Sequence, residues 1–487
     1  MSHPKTAKFL IIGAGPAGLG AAYRLKELGI DDFLVIDAAG HAGGSATSFK
    51  DEQGFVWDIG GHVQFSHYQY FDDLMLRALG HDGWLHHPPE SWVWIRDRFI
   101  PYPFQNNIRY LPKEEMWKCL GGLIELYQDS IIKRPNNFRE WIHATFGRGV
   151  AEIFMEPYNF KHWACPPEEM SVEWISGRVA TTDLLRVAKN ILFEEDDRIL
   201  EPGNVFRFPK HGGTGAIWEA VADLIGRAKI CFRAEVAAVS ALMHYVELSN
   251  GEPVFYEYLL NTAPLDRFVD MVQEVSPIVK NAARQLQHSS TNIVGLGCEG
   301  PKPPLLKEKS RMYFPENNCP FYRVTVFSDY SPNHVPHPEK QWSLIAEVSE
   351  SAHKPVDQET LIDDVVQGMH ATKLIHPEAK IVSRWRHRAH YGYPTPSLQR
   401  DAILNVLHAE LEQHGISSRG RFGGWKYEVS NQDHSLMQGV EWVNRLVLGI
   451  PETTYFYPGT ANANWGRVSL AAMPGAGVPR LYRQAAL

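Results

Sequence analysis

Three glycines near the start of the chain, Gly13, Gly15 and Gly18, have a spacing that suits phosphate binding. They follow the apolar run 9–12 and precede a helical pattern, which predicts a strand, a tight turn and a helix. In such a turn the second glycine lets the backbone approach a pyrophosphate, and the helix N-terminus offers it N–H groups. Asp37 ends a second apolar run roughly 20 residues further on, where an acid accepts hydrogen bonds from ribose hydroxyls. The sequence therefore predicts a dinucleotide-binding turn.

Two further glycine pairs bear on which dinucleotide would be bound. The pair 43–44, followed by Ser45, would let a second stretch of backbone close on the pyrophosphate. This favours a flavin over a nicotinamide dinucleotide, although an ordinary loop could have the same residues. The pair 60–61, followed by His62, predicts a third close approach of backbone to the ligand, beside its redox ring.

Composition and charge limit the classes of protein to which this chain could belong. The chain has 487 residues, of which 44% are hydrophobic and 21% charged, as in ordinary globular proteins. The net charge of -8 argues against a nucleic-acid-binding protein, which would carry a basic surface. Five widely spaced cysteines form no C-x-x-C pair, so we expect no disulfide framework, no metal site and a reducing cytoplasm. We expect no membrane association, because the sequence has no apolar signal region and no run of about 18 apolar residues.

Apolar periodicity predicts the elements that would position these segments. Helical spacing dominates from about 105 to 195, which we expect to be a helical insertion in the nucleotide-binding fold. Runs of β-branched and aromatic residues at 291–298, 322–327 and 342–348 predict an antiparallel sheet. A polar segment leading into a helix over 435–446 would offer a second helix N-terminus to the ligand.

Three intervening segments contain aromatic and polar residues. The run 92–100 is predicted to be one strand, and 101–107 after it would present rigid rings and amides to a planar base, or simply form a packed turn. Residues 157–164 mix aromatic and polar side chains without a clear period. Residues 204–215 are glycine-rich and predict a mobile loop before a helix.

Taken together and in order, these segments resemble those of eukaryotic-type UDP-galactopyranose mutases, which are flavoenzymes. The matching runs are 58–73 (DIGGHVQFSHYQYFDD), 101–107 (PYPFQNN), 157–164 (PYNFKHWA), 206–215, 313–323 (YFPENNCPFYR), 392–396 (GYPTP) and 418–435. The resemblance implies an α/β fold with a Rossmann-like FAD-binding domain, an inserted helical domain and an antiparallel β-sheet substrate domain. Their expected bounds are 1–80 with 205–275 and 400–487, 105–200, and 81–104 with 285–399, respectively.

Carried over by position, the resemblance implies three groups of site residues. The FAD contacts would be Gly13, Gly15, Gly18, Asp37, Gly44, Ser45, Gly60, Gly61, His62, Val236, Arg421, Asn431, Gln432 and Ser435. The uridine part would be bound by Tyr102, Gln105, Phe154, Asn159 and Trp163. The phosphates and sugar would contact Asn204, Tyr313, Tyr330, Tyr393, Tyr427, Asn431, Arg178 and Arg323.

The candidate catalytic residues are His62, Arg178 and Arg323. Guanidinium groups suit a diphosphate leaving group, and the two arginines come from different predicted domains, so domain closure would bring them together. Each arginine alone could equally form a surface ion pair. His62 would lie beside the isoalloxazine ring, either positioning flavin N5 or packing within the glycine turn.

The implied reaction interconverts UDP-galactopyranose and UDP-galactofuranose through a reduced-flavin N5–sugar adduct, without net redox change. NAD(P)H is the expected reductant, and a homo-oligomer is expected. The sequence departs from fungal members at two positions. Pro89 stands where they have an arginine, which bears on the reductant, and Arg311 stands where they have a tryptophan, which bears on the sugar. The alternatives are a mutase for another nucleotide sugar, an amine-oxidase-like FAD oxidoreductase, which diphosphate-binding arginines disfavour, and a non-enzymatic flavin-binding protein.

Overall fold

The computed structural model describes residues 5–64, 66–88, 90–128, 134–175, 179–197 and 205–463. The strands are β1 (Lys5–Ile12), β2 (Phe33–Asp37), β3 (Ser48–Lys50), β4 (Val56–Asp58), β5 (Trp84–His87), β6 (Ser91–Ile95), β7 (Arg98–Pro101), β8 (Phe206–Pro209), β9 (Ile230–Phe232), β10 (Val236–Ser240), β11 (Tyr245–Leu248), β12 (Pro253–Asn261), β13 (His288–Glu299), β14 (Arg311–Tyr313), β15 (Arg323–Val326), β16 (Gln341–Glu350), β17 (Lys380–Pro394) and β18 (Ile416–Ser418). The α-helices are α1 (Pro16–Glu27), α2 (Gln69–Leu79), α3 (Lys113–Gln128), α4 (Phe138–Val150), α5 (Glu156–Trp163), α6 (Leu184–Phe193), α7 (Gly215–Ile225), α8 (Leu265–Met271), α9 (Pro277–Ala283), α10 (Leu361–Ala371), α11 (Arg400–Gln413), α12 (Gln432–Leu448) and α13 (Pro458–Ala463). Among these helices, none combines the length and the apolar character needed to cross a membrane.

The glycine turn extends from a sheet whose central strands are parallel. The strand order is β10-β11-β12-β1-β2-β9, with β18 beside β12. β1 pairs in parallel with both β12 and β2, and the apolar runs 9–12 and 33–36 are almost entirely buried, as expected of strands covered on both faces. Gly13 and Asp37 thereby come to lie at the carboxyl ends of neighbouring strands, where such sheets bind ligands. The predicted Rossmann-like fold is confirmed.

Two helices from opposite ends of the chain pack closely together beside this sheet. A Cβ atom on Gly439 of α12 would lie 1.9 Å from the carbonyl oxygen of Ala17 in α1. A Cβ on Gly20 would likewise lie 2.4 Å from the carbonyl oxygen of Leu436. Because no side chain fits at either point, the two glycines allow the backbones of α1 and α12 to come into direct contact.

The second sheet has the order β17-β13-β16-β15-β14-β6-β7. Its strands pair antiparallel, as predicted, except that β14 and β6 run parallel. The prediction of one strand over 92–100 is wrong, because β6 and β7 form a hairpin within it. Arg96 and Asp97 have φ values of 54° and 57°, the left-handed conformation that two-residue hairpin turns use.

The segment that follows β7 is largely helical, and α3 to α6 pack around buried side chains that include Ile142, Phe146 and Trp163. α4 continues through a π-helical turn over 151–155 directly into α5. A π turn inserts an extra residue and breaks the 3.6-residue period, so residues 157–163 are helical although their pattern predicted no regular structure.

Candidate functional site

A cavity of about 740 Å³ lies between the carboxyl ends of β1 and β2, the second sheet and the N-termini of α1 and α12. The predicted site residues that line it are Gly13, Gly15, Asp37, Gly44, Ser45, Gly61, His62, Val236, Arg323, Tyr393, Arg421, Tyr427, Asn431, Gln432 and Ser435. The others within the described ranges, which do not line it, are Gly18, Gly60, Tyr102, Gln105, Phe154, Asn159, Trp163, Tyr313 and Tyr330. Arg178 and Asn204 lie outside the described residues.

The glycine turn has the close backbone contacts that its spacing predicts. Gly13 has a φ of 105°, which favours glycine, and a Cβ on Gly18 would lie 1.8 Å from the Gly13 carbonyl oxygen. Gly44 approaches the same turn from the other side, and a Cβ on it would lie 3.3 Å from Gly15 Cα. Two stretches of backbone thus meet at the N-terminus of α1 without side chains between them, as a bound pyrophosphate requires.

The Asp37 carboxylate is fixed at the end of β2 by two backbone donors. Ala14 N–H donates to Oδ2 at 2.6 Å and Ala39 N–H donates to Oδ1 at 2.7 Å. Burial raises the pKa of Asp37, while these two hydrogen bonds act in the opposite direction. An oriented acceptor at the cavity wall suits the ribose hydroxyls of a dinucleotide.

The N-terminus of α12 reaches the same cavity. Asn431, Gln432 and Ser435 line the cavity at the start of this helix. Gln432 is held in place because its Oε1 accepts a hydrogen bond of 2.8 Å from Trp218 Nε1. Two helix N-termini therefore offer partial positive charge to one ligand, and with the glycine contacts and Asp37 they fit FAD, a dinucleotide that carries a pyrophosphate.

The 60–62 loop lies on the other side of the cavity and is braced by the second sheet. Gly61 N–H donates to Glu347 Oε1 at 3.0 Å, and a Cβ on Gly61 would lie 2.2 Å from Thr325 Oγ1. Gly60 has a φ of 90°, so this turn also depends on glycine. The loop is therefore held directly against β15 and β16, with His62 at the cavity wall.

His62 is kept neutral by its surroundings. Burial lowers the pKa of His62 to about 4; Glu347 opposes this effect, and Arg323 among others adds to it. Its Nδ1 is buried and has no hydrogen-bond partner among the described residues. Near pH 7 the ring is thus an uncharged donor or acceptor that a ligand can use.

Arg323 and Glu347 form an ion pair at the cavity wall. Arg323 Nε and Nη2 donate to the two Glu347 oxygens at 2.7 and 2.6 Å. The Tyr322 hydroxyl donates to Glu347 Oε2 at 2.8 Å. Burial raises the pKa of Glu347, but Arg323 and these donors outweigh burial and lower the pKa to about 2. The carboxylate therefore stays ionised and orients the guanidinium toward the cavity.

Arg421 is a further cationic group in the cavity. Its Nη2 donates to the Gly392 carbonyl at 2.8 Å, and its Nη1 donates to Ser430 Oγ at 2.9 Å. The guanidinium carbon also lies 4.9 Å from the centre of the Tyr393 ring, within the range of a cation–π contact.

The aromatic residues predicted to bind substrate form a continuous cluster beside the cavity. The Trp163 ring centre lies 4.7 Å from that of Tyr427 and 5.8 Å from that of Tyr393, and both tyrosines line the cavity. Tyr102 and Tyr313 pack together with ring centres 5.5 Å apart. The helical segment and the second sheet thus contribute rings to one surface, which could extend the cavity toward a planar base.

Four other predicted substrate residues are buried, namely Gln105, Phe154, Asn159 and Tyr330. Phe154 packs on Phe104 with ring centres 4.6 Å apart, and Asn159 Nδ2 donates to the Met155 carbonyl at 2.7 Å. Gln105 donates to Ala180 O at 2.5 Å, while its buried Oε1 has no partner among the described residues. These contacts are those of packed interior groups.

Sequence reasoning missed Glu347, Tyr158 and His162. Glu347 is the one acid in the segment 342–348, and an ionisable residue at a buried strand position is a detectable signal. Tyr158 and His162 stack with ring centres 6.0 Å apart in α5. They were overlooked because that helix was not predicted.

Known families and structures resemble this chain as follows. Residues 16–417 match the family described as flavin containing amine oxidoreductase. The crystal structure of a reduced UDP-galactopyranose mutase superposes with a TM-score of 0.90 and 47% sequence identity, covering 94% of this chain and 99% of that chain.

More distant relatives share the fold or a short segment. A CLA-producing fatty acid isomerase from P. acnes has a TM-score of 0.60 at 14% identity, with 91% of this chain and 99% of that chain covered. The mitochondrial protoporphyrinogen oxidase of Nicotiana tabacum is 39% identical over 61 residues, which are 12% of this chain and 12% of that protein. The match thus spans a small part of the length of that relative.

Proposed function

Since the chain belongs to the flavin-containing amine oxidoreductases and, within them, to the UDP-galactopyranose mutases, we propose that it interconverts UDP-galactopyranose and UDP-galactofuranose. The observation that carries this proposal is the Arg323–Glu347 pair, which turns a guanidinium toward the cavity. The same cavity is lined by the glycine turn, Asp37 and the N-termini of α1 and α12. A diphosphate ester and a flavin can therefore meet in one cavity.

The cofactor would be FAD, held by the residues that fit it. The pyrophosphate would lie against the glycine turn and the N-termini of α1 and α12, and Asp37 would accept from a ribose hydroxyl. Reduced FAD, when bound, supplies the nucleophile for the anomeric carbon of the sugar and leaves the reaction without net redox change. Gly61 and His62 would contact the ring system, because the braced loop fixes them at the cavity wall.

Arg323 would stabilise the negative charge that develops on the leaving diphosphate. Its Nε and Nη2 are engaged by Glu347, which leaves Nη1 as the donor for a phosphate oxygen. Arg178 would supply a second guanidinium, and the pair would bind the diphosphate as UDP departs and returns. Neutral His62 would position the reacting centre by hydrogen bonding without competing with the arginines for the anion.

The aromatic cluster would bind the nucleoside. Tyr102 and Trp163 present rings beside the cavity, and Gln105, Phe154 and Asn159 would support or contact the uracil from the helical segment. Tyr313, Tyr330, Tyr393 and Tyr427, with Asn204 and Asn431, would contact the phosphates and sugar.

We further propose NAD(P)H as the reductant, a cytoplasmic location and a homo-oligomeric state. All five cysteines are free thiols, which suits a reducing compartment. Anaerobic addition of NADPH should bleach the flavin absorbance, and sedimentation would give the oligomeric state.

The proposed function can be tested directly with UDP-galactofuranose. The flavin-loaded protein is incubated anaerobically with dithionite and this sugar nucleotide, and the products are separated by chromatography. We expect UDP-galactopyranose only when the flavin is reduced, so the same incubation without dithionite is the control. Absence of pyranose under reducing conditions, together with oxygen consumption in the presence of amines, would instead support an amine oxidase.

A further inference from the structure

Arg311 is a further arginine at the wall of the cavity. It begins β14, where it pairs with Thr325, while Tyr313 pairs with Arg323 on the neighbouring strand. Because side chains alternate along a strand, all four residues project from the same face of the sheet. Arg311 and Arg323 are thus diagonal neighbours that face one ligand.

The two arginines differ in how their charges are balanced. Arg323 makes two hydrogen bonds to Glu347, whereas no Asp or Glu in the described part of the chain lies within ion-pair distance of Arg311. The Nη2 of Arg311 donates to the Gly61 carbonyl over a long distance of 3.4 Å, and the guanidinium also interacts with the side chains of Tyr313 and Tyr330. Its Nε is buried and has no hydrogen-bond partner among the described residues.

Two fully buried arginines in the described part of the chain, Arg400 and Arg419, are paired with acids. Arg400 donates to both oxygens of Glu428 at 2.8 and 2.9 Å. Arg419 is likewise bonded to Glu452 by two of its nitrogens. A guanidinium withdrawn from water is costly without an anion, so an Arg311 that lacks an acid is expected to meet its anion in the ligand.

We propose that Arg311 is a substrate-binding residue that contacts negatively charged oxygen atoms of the nucleotide sugar, with the diphosphate as its ligand group. The inference rests on the proposed function, because it takes the cavity to bind a nucleotide sugar. Two guanidiniums on the diagonal of a strand pair can reach the two phosphates of one diphosphate. The contact with Gly61 also places Arg311 near the reacting end, where a carboxylate on the sugar would be a second source of the same chemistry.

The test is a binding titration of the oxidised, flavin-loaded protein with UDP, UDP-galactose and UDP-galacturonate. Arg311→Met removes the charge, whereas Arg311→Lys keeps the charge but loses the planar guanidinium with its several donors. Arg384→Met is the matched control. Arg384 lies on β17 of the same sheet and pairs with Asp363 at the surface. Flavin content and the visible spectrum are measured for each variant, so that a general disturbance of the fold is detected.

We expect Arg311→Met to weaken binding of UDP and UDP-galactose by about 10- to 100-fold, with a smaller loss for Arg311→Lys. Arg384→Met should bind like the wild-type protein. Arg311→Met could also bind UDP normally and lose affinity by a comparable factor for UDP-galacturonate alone. That result would support anion binding by Arg311 and assign the sugar carboxylate as the anion. If Arg311→Met does not retain flavin, Arg311→Lys alone should show a several-fold loss for UDP.

Two negative results have different meanings. Wild-type affinity of both Arg311 variants for all three ligands would overturn the role of Arg311 and leave the mutase proposal intact. Failure of the wild-type protein itself to bind UDP or UDP-galactose would refute the proposed function and, with it, this role.

Discussion

Arg323 Nε and Glu347 Oε1 lie 2.7 Å apart, and the same carboxylate oxygen accepts the Gly61 N–H at 3.0 Å. One buried acid therefore links the cation proposed to bind the diphosphate to the loop proposed to contact the flavin. Any change at Glu347 should affect both.

Glu347→Gln is expected to lower the free energy of unfolding by about 3–5 kcal/mol, because the amide leaves the Arg323 charge without its partner. Urea unfolding followed by circular dichroism measures this change. Glu299→Gln is the matched control, since Glu299 pairs with Lys380 at the surface of the same sheet and its loss should have little effect. Equal stability of the two variants would contradict the proposed importance of the buried pair.

Arg178→Ala should reduce kcat by about 100- to 1,000-fold while the flavin remains bound, because a cation that stabilises the leaving diphosphate acts mainly in the transition state. Turnover of UDP-galactofuranose under reducing conditions and the flavin absorbance are measured on the same sample. A rate close to that of the wild-type protein would remove Arg178 from the mechanism.

The pH dependence of stability should reveal the neutral state of His62. Its pKa is about 4 in the folded protein and near 6.5 in an unfolded chain, so the unfolded chain binds the extra proton between these values. Stability should therefore fall as pH decreases from 6.5 to 4, and this titration should contribute nothing above that range. In the flavin-free protein, His62→Gln should reduce the loss of unfolding free energy between pH 7 and pH 4 by about 3 kcal/mol. Identical slopes for both proteins would show that folding does not shift the pKa of His62.

Gly61→Ala should impair flavin retention, because the new Cβ would lie 2.2 Å from Thr325 Oγ1. Adding Thr325→Ala removes that oxygen, so the double variant should recover part of the flavin content. Gly121→Ala serves as the control, since its Cβ would meet nothing closer than 3.9 Å and a helical alanine is tolerated. If the double variant holds no more flavin than Gly61→Ala, the contact with Thr325 is not what limits binding.

The nucleotide-binding half of the fold was predictable because its signals are local. The apolar run 9–12, the glycine turn and Asp37 each have a fixed place in a strand–turn–helix–strand unit, and the structure has them there. The antiparallel core of the second sheet was predictable for the same reason, since its long strands are rich in β-branched and aromatic residues.

What the sequence could not provide depends on contacts between distant segments. The parallel pairing of β14 with β6 joins residues that no local pattern connects. Helix α5 was hidden by the π turn before it, and the partners of Glu347, which are Arg323 on β15 and Gly61 near the start of the chain, come to it only through the fold. The roles of the predicted site residues, Arg178 and Asn204 included, stay predictions.

The contact between α1 and α12 also constrains when the protein can acquire its cofactor. Arg24 and Asn444, which are hydrogen-bonded across this contact, are 420 residues apart in sequence. During synthesis the glycine turn and α1 leave the ribosome long before α12, so the nascent chain can bind FAD only after its final helices have been made. Premature termination before α12 should therefore yield colourless protein, however well the earlier domains fold.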